Sequence, residues 1–160
     1  MGLILVVDDE GDIRELIKTT LELAGHEVVI ASGGEEAINK IRRRPFDAVL
    51  LDIMMPELSG YEVLEQIRSI PSRAETPVIV VTAKHDPAGV QREMNFGALD
   101  HIVKPFLPSE LEDVVERALA GETESHEERR RILGTDAEIY GSMQSLVDSA
   151  REDDTQKHRR

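Results

Sequence analysis

The sequence contains no cysteine, and aromatic residues make up only 3% of its 160 residues. Without cysteine the chain can form neither a disulfide nor a zinc–thiolate site, and it has no thiol nucleophile. The low aromatic share predicts a core built from aliphatic side chains. Because a cysteine-free chain suits a reducing compartment, we expect a cytoplasmic protein.

A long hydrophobic run is also missing at the start of the sequence. The segment MGLILVVDDE places only five consecutive apolar residues, Leu3 to Val7, before an acidic cluster. A membrane-spanning helix needs about 20 apolar residues, and a signal peptide needs a longer apolar region as well. We therefore expect neither a signal peptide nor a membrane partner.

Basic residues are few relative to acidic ones. The chain has 19 Lys and Arg against 32 Asp and Glu, which gives a formal net charge of −13. Such a charge repels the phosphates of nucleic acids. Residues 122–160 are also too few for a winged-helix domain, and they show no basic recognition pattern. We expect no direct binding of nucleic acid.

The length predicts one domain with an appendage. We place the domain at residues 1–121 and a charged, partly helical tail or linker at residues 122–160, with about the last ten residues disordered. Leu133, Tyr140 and Val147 recur every seven residues, which favours one helix in the tail. The tail is either a dimerisation or partner-docking element or a linker from a longer protein, and the sequence leaves both open.

Five short apolar runs rich in β-branched residues alternate with segments whose apolar residues are spaced three and four apart. This rhythm predicts strands alternating with amphipathic helices. The predicted fold class is α/β, a doubly wound five-stranded parallel sheet with five helices. Asp12 and Ser59 are predicted to cap helix starts, and Gly25 to end the first helix. The predicted strands are residues 3–7, 27–30, 48–51, 78–81 and 101–103.

Acidic side chains follow two of the predicted strands. Asp8 and Asp9 come after the first strand and Asp52 after the third, and in a doubly wound sheet these strand ends converge. Clustered carboxylates raise each other's pKa unless a cation neutralises them. Mg²⁺ takes one or two carboxylates and leaves room for phosphate oxygens. The pattern predicts a magnesium site in which Asp52 can act as a nucleophile.

A hydroxyl and an ammonium group are predicted at the same edge of the sheet. Thr82 follows the fourth strand and Lys104 the fifth, where they would stabilise charge on phosphoryl oxygens. Taken alone, Asp8 and Asp9 could simply cap the first helix, Thr82 could be a turn residue and Lys104 a solvated charge. Their combined placement favours phosphoryl transfer.

The segments LILVVDDE, AVLLDIMMPELSG, PVIVVTA and DHIVKPF occur in this order along the chain. Together they closely resemble the receiver domains of two-component response regulators, over about residues 1–120. The resemblance implies the flavodoxin-like receiver fold. It also implies a signalling switch that catalyses only its own phosphorylation and dephosphorylation, and not an enzyme with a separate substrate.

The resemblance assigns roles to the acidic residues. It implies that Asp52 accepts a phosphoryl group from a sensor histidine kinase or a phosphotransfer protein. It further implies that Asp8, Asp9 and Asp52, together with the backbone carbonyl of Met54, hold Mg²⁺.

The resemblance also implies a switch and an output. Thr82 matches the family's switch hydroxyl and Lys104 its phosphate-pairing lysine. His101 stands at the switch-aromatic position, where the family often has Tyr or Phe. The output would be altered contacts with a downstream protein that the sequence does not identify, or with a second copy of the chain in a homodimer.

Other classes of protein explain the motifs less well. An aspartyl-nucleophile phosphatase expects DxD after the first strand, where this chain reads DDE, and no GxGxxG or GxxxxGK[ST] follows that strand as in nucleotide-binding domains. Two alternatives stay open. One is a receiver fragment of a longer regulator, and the other is a pseudo-receiver that binds proteins independently of phosphorylation.

Overall fold

The structure, a computed structural model, describes residues 1–83 and 97–121. They form a five-stranded sheet with helices on both faces, which confirms the predicted fold class. The strands are β1 (Leu3–Val7), β2 (Glu27–Ala31), β3 (Ala48–Asp52), β4 (Val78–Thr82) and β5 (Asp100–Val103). The described helices are α1 (Gly11–Leu23), α2 (Gly34–Arg43), α3 (Gly60–Ser69) and α4 (Pro108–Leu119).

Two predictions fall outside the described residues. The predicted helix between the fourth and fifth strands would fall on residues 84–96, and the predicted tail on residues 122–160. The division of the chain at residue 121 therefore stays a prediction. Within the described ranges no helix is long and apolar enough to cross a membrane.

All neighbouring strands are parallel, and their order across the sheet is β2-β1-β3-β4-β5. The chain moves from β1 to one side for β2 and then returns to the other side for β3. This reversal creates a crevice at the carboxyl ends of β1 and β3, which is where doubly wound sheets bind ligands. The topology thus directs attention to the residues at the ends of these two strands.

The core consists of two apolar layers, one on each face of the sheet. Alternation along β1 shows the arrangement: Leu5 and Val7 pack under α2 and α3, while Ile4 and Val6 pack under α1 and α4. Every residue of β3 and of β4 is buried. Strands that are covered on both faces consist of continuous apolar residues, and such runs can be recognised in the sequence.

Helix ends follow local sequence signals in two of the three predicted cases. Ser59 caps α3 through a reciprocal box with Glu62, and Gly25, with a φ of 96°, follows the end of α1. The prediction that Asp12 caps α1 was wrong. The helix begins at Gly11, and Asp12 lies inside the first turn, where a negative charge is favourable near the positive end of the helix dipole.

The guanidinium group of Arg68, at the end of α3, joins two loops. Its nitrogens donate to the backbone carbonyls of Ala74 and Thr76 at 3.0 and 2.7 Å, and twice to that of Gly97 at 3.2 and 2.7 Å. Burial lowers the pKa of Arg68. This cation therefore fixes the approach to β4 and the approach to β5 relative to α3.

Candidate functional site

Four carboxylates meet at the carboxyl edge of the sheet. One carboxylate oxygen from each of Asp8, Asp9, Glu10 and Asp52 lies within 4.8 Å of the others. Asp8 and Asp52 are buried, whereas Asp9 and Glu10 are exposed, so the cluster has a closed floor and an open mouth. The structure therefore brings together the three predicted aspartates and adds Glu10, which the sequence analysis did not include.

Lys104, which follows β5, reaches into this cluster. Its Nζ lies 2.9 Å from Asp8 Oδ2, 3.6 Å from Glu10 Oε1 and 3.8 Å from Asp52 Oδ2, and its side chain is only 12% exposed. One ammonium group thus faces three carboxylates. Lys104 therefore lies close to Asp8 and Asp52, as the sequence predicts.

The electrostatics of Asp52 reflect this crowding. Burial, followed by the negative charge of Asp8, raises the pKa of Asp52 from its usual 3.8 to about 7, against the opposing effects of Lys104 and of the hydrogen bond from the Met54 backbone. The pKa of Lys104 also rises. Burial alone would lower it, but the hydrogen bond to Asp8 and the nearby carboxylate charges outweigh that effect.

Asp8 is held on several sides. Its Oδ1 accepts the backbone N–H of Glu10 at 2.9 Å, and its own N–H donates to the Ala31 carbonyl at 3.2 Å. Its backbone carbonyl accepts a hydrogen bond from Nη1 of Arg14 at 2.8 Å. The carboxylate at the floor of the cluster is therefore fixed through both its side chain and its main chain.

The remaining predicted residues surround the cluster. The backbone N–H of Met54 donates to Asp52 Oδ1 at 3.2 Å, and the Met54 side chain is exposed. Thr82 is the buried last residue of β4, and its carbonyl accepts the backbone N–H of Lys104 at 2.7 Å. His101 is half-buried on β5, beside β4. Their positions are compatible with the predicted roles, which stay predictions.

Gly60, the first residue of α3, is a further feature of the site. A Cβ at this position would collide with the carbonyl oxygen of Asp52 and would lie 2.7 Å from Cα of Ile53. The Gly60 N–H also donates to the Ile53 carbonyl at 3.0 Å. The close approach of α3 to the end of β3 therefore requires glycine, and the hydrogen bond fixes the backbone directly after Asp52.

The donor set fits a hard divalent cation such as Mg²⁺. All four groups offer carboxylate oxygens, the ligands that this ion prefers. Four clustered carboxylates with one ammonium group beside them leave an excess of negative charge. The charge of Asp8 adds to the larger effect of burial in raising the pKa of Asp52. A bound cation would relieve the repulsion.

Comparisons with known proteins agree with this geometry. A family model described as "Response regulator receiver domain" matches residues 4–116. The chain belongs to the receiver domain family. The matched range includes β1 from its second residue, all of β2 to β5 and all the cluster residues. The resemblance inferred from four sequence segments is therefore confirmed.

Several relatives of this receiver are regulators of transcription by name. It is 46% identical over 109 residues to "Probable transcriptional regulator ycf27" of Guillardia theta, covering 68% of this chain and 42% of that protein. It is 40% identical over 108 residues to "Alkaline phosphatase synthesis transcriptional regulatory protein PhoP" of Bacillus subtilis (strain 168), covering 68% and 44%. The chain thus spans less than half the length of these relatives.

Solved structures show the same fold. The receiver is similar to the chemotaxis protein CheY4 of Vibrio cholerae, with a TM-score of 0.72 and 34% identity, over 74% of this chain and 99% of that one. A second solved structure, of a protein from Chloroflexus aurantiacus, gives the same TM-score and identity, over 74% of this chain and 98% of that one. The similarity therefore covers nearly the full length of both of these solved chains.

Proposed function

We propose that this receiver accepts a phosphoryl group on Asp52 in a reaction that requires Mg²⁺ and thereby changes its protein contacts. The observation that carries the proposal is the buried Asp52 carboxylate, with three further carboxylates within 4.8 Å and the Lys104 ammonium 3.8 Å away. These are a nucleophile, a set of metal ligands and a cation for phosphoryl oxygens in one pocket.

The donor would be a phosphohistidine on a sensor histidine kinase or on a phosphotransfer protein. A carboxylate oxygen of Asp52 attacks phosphorus, the phosphorus–nitrogen bond breaks, and the leaving imidazole takes up a proton. The hydrogen bond from the Met54 N–H holds Asp52 in one orientation for this attack. Hydrolysis of the aspartyl phosphate by water returns the receiver to its starting state.

Asp8, Asp9 and Asp52, with the backbone carbonyl of Met54, would hold Mg²⁺, and Glu10 adds a fourth carboxylate at the mouth of the pocket. When bound, Mg²⁺ neutralises the carboxylates and polarises the phosphoryl group. It also favours the ionised form of Asp52, which is the nucleophilic form.

Phosphorylation would be read out by Lys104, Thr82 and His101. The Lys104 ammonium, shared among carboxylates before the reaction, gains a doubly charged partner on Asp52. The Thr82 hydroxyl turns toward the phosphoryl group, and His101 on the next strand follows. The surface formed by β5, α4 and the predicted helix between β4 and β5 would then bind a downstream protein or a second copy of the chain.

Intact mass spectrometry tests the chemistry. The full chain is incubated with acetyl phosphate and Mg²⁺, alongside the variant Asp52→Ala, a sample with chelator in place of Mg²⁺, and the matched control Asp113→Asn, which removes an exposed carboxylate on α4. We expect one phosphoryl adduct, lost in Asp52→Ala and in chelator but kept in Asp113→Asn. No adduct on the unaltered chain would contradict the proposal and would favour a receiver fold that binds proteins independently of phosphorylation.

Light scattering tests the output on the full chain before and after phosphorylation. A doubling of mass on phosphorylation would support the homodimer. An unchanged mass would leave a different protein as the partner.

A further inference from the structure

We propose that Arg14 is a positioning residue for the metal site, and this inference rests on the proposed function. Arg14 lies on α1, outside the set of carboxylates, and its Nη1 donates to the backbone carbonyl of Asp8 at 2.8 Å. Through that bond it sets where the segment from Asp8 to Glu10 presents its side chains.

The segment from Asp8 to Glu10 contributes most of the carboxylates in the site. Three of the four clustered carboxylates come from these consecutive residues, while Asp52 comes from the separate strand β3. A displacement of the short segment would therefore move three oxygen donors together relative to Asp52. Mg²⁺ demands near-ideal octahedral geometry, so it is sensitive to such a displacement.

The hydrogen bond lies where the regular sheet ends. The Asp8 N–H still donates to the Ala31 carbonyl, beyond the last residue pair of β1 and β2. On the other side of the same residue, the carbonyl is bound by the guanidinium group of Arg14. Arg14 thus secures the first main-chain unit after β1, at the point where the carboxylates begin.

The charge of Arg14 acts in the opposite direction from its hydrogen bond. A guanidinium cation beside the cluster repels Mg²⁺, so a purely electrostatic role predicts that removing Arg14 tightens Mg²⁺ binding. A positioning role predicts that removing it weakens binding, typically by about 10- to 100-fold for a residue that orients a metal ligand. The sign of the change therefore distinguishes the two roles.

Arg73 offers a matched control. Its Nε donates to the backbone carbonyl of Ile41 at 2.8 Å, so it makes the same kind of bond at the same distance, and it is half-buried like Arg14. Ile41 lies near the end of α2, which leads to the start of β3. The start of β3 is at the amino ends of the strands, whereas the carboxylates lie at their carboxyl ends. Loss of this bond should disturb the fold without reaching the metal site.

The experiment is a Mg²⁺ titration of the full ¹⁵N-labelled chain, followed by amide chemical shifts. The samples are the unaltered chain, Arg14→Met, Arg14→Lys, Arg73→Met and Asp9→Asn. We expect Arg14→Met to weaken Mg²⁺ binding by about 10-fold or more. We expect Arg14→Lys, which keeps a donor and the charge, to recover most of the loss. Arg73→Met should bind as the unaltered chain does, and Asp9→Asn should bind far more weakly.

Two further readouts separate positioning from general damage. The unfolding temperature without metal should fall by similar amounts in Arg14→Met and Arg73→Met, because each loses one partly buried bond to a backbone carbonyl. Arg73→Met also loses an exposed bond to the neighbouring Ser72 carbonyl, which should add little. Phosphorylation of Arg14→Met by acetyl phosphate should approach the unaltered rate at saturating Mg²⁺. Equal or tighter Mg²⁺ binding by Arg14→Met would overturn the inference alone. Failure of the unaltered chain to bind Mg²⁺ would overturn the proposed metal site itself.

Discussion

Replacing Asp52 by Asn should stabilise the metal-free fold, and increasingly so as the pH rises. Asp52 is only 2% exposed, and burial and the charge of Asp8 raise its pKa from 3.8 to about 7. Asparagine keeps the size and the oxygen that accepts the Met54 N–H, but it carries no charge. The substitution therefore removes the cost of burying an ionised carboxylate beside another one.

The magnitude follows from proton linkage. Between about pH 4 and pH 7 the folded chain keeps a proton on Asp52 that the unfolded chain has released, so each unit rise in pH costs the fold about 1.4 kcal/mol. Asp52→Asn does not titrate and escapes this cost. Its advantage over the unaltered chain should grow by about 3 kcal/mol between pH 5 and pH 8 and become constant at higher pH.

The assay is urea unfolding of both chains in chelator across that pH range, followed by circular dichroism. A difference in unfolding free energy that stays the same at pH 5 and pH 8 would refute the reasoning, because it would mean that folding leaves the pKa of Asp52 unchanged. Mg²⁺ gives the complementary test. It should stabilise the unaltered chain by about 2.7 kcal/mol at 100 times its dissociation constant and should have much less effect on Asp52→Asn.

Three further substitutions test separate parts of the site. Gly60→Ala should destabilise the fold by about 1–3 kcal/mol, because the new methyl group meets the carbonyl of Asp52, and it should also slow phosphorylation. Urea unfolding measures the stability and adduct formation measures the rate, and an alanine variant that matches the unaltered chain in both would disprove the close contact. Ser59→Ala removes the capping box of α3 and should lower the free energy of urea unfolding by about 1 kcal/mol. The phosphoryl adduct should still form, and its loss would contradict a purely structural role for the cap. Lys104→Met removes the cation that pairs with Asp8 and would compete with Mg²⁺ in the proposed site. Calorimetry should therefore show tighter Mg²⁺ binding and mass spectrometry slower phosphorylation, and weaker binding would show that Lys104 does not compete with the metal.

The central strands β1, β3 and β4 could be predicted because burial on both faces makes each of them a continuous apolar run in the sequence. Every predicted strand was found, and the structure extends β2, β3 and β4 by one residue at the carboxyl end. That extension makes Asp52 and Thr82 the last residues of their strands. The predicted pocket did not depend on it, because parallel strand ends converge whichever residue closes them.

Glu10 and Arg14 could not be assigned from the sequence for a physical reason. Their contacts depend on how the chain turns between β1 and α1, and side-chain spacing does not encode that turn. Glu10 gave one signal, as the third consecutive acid in DDE. Arg14 gave none, since its partner is a backbone carbonyl, which every residue has.

The hydrogen bonds of Arg68 restrict the choice of residue at some of their partner positions but not at others. Its acceptors are main-chain carbonyls, so the side chains at Ala74 and Thr76 can be exchanged without removing a single acceptor. Gly97 is the exception, because a Cβ there would lie 2.9 Å from Nε of Arg68. Substitutions at Ala74 and Thr76 should therefore leave these hydrogen bonds intact, while a side chain at Gly97 would meet both the Arg68 guanidinium group and a φ of 91° that favours glycine.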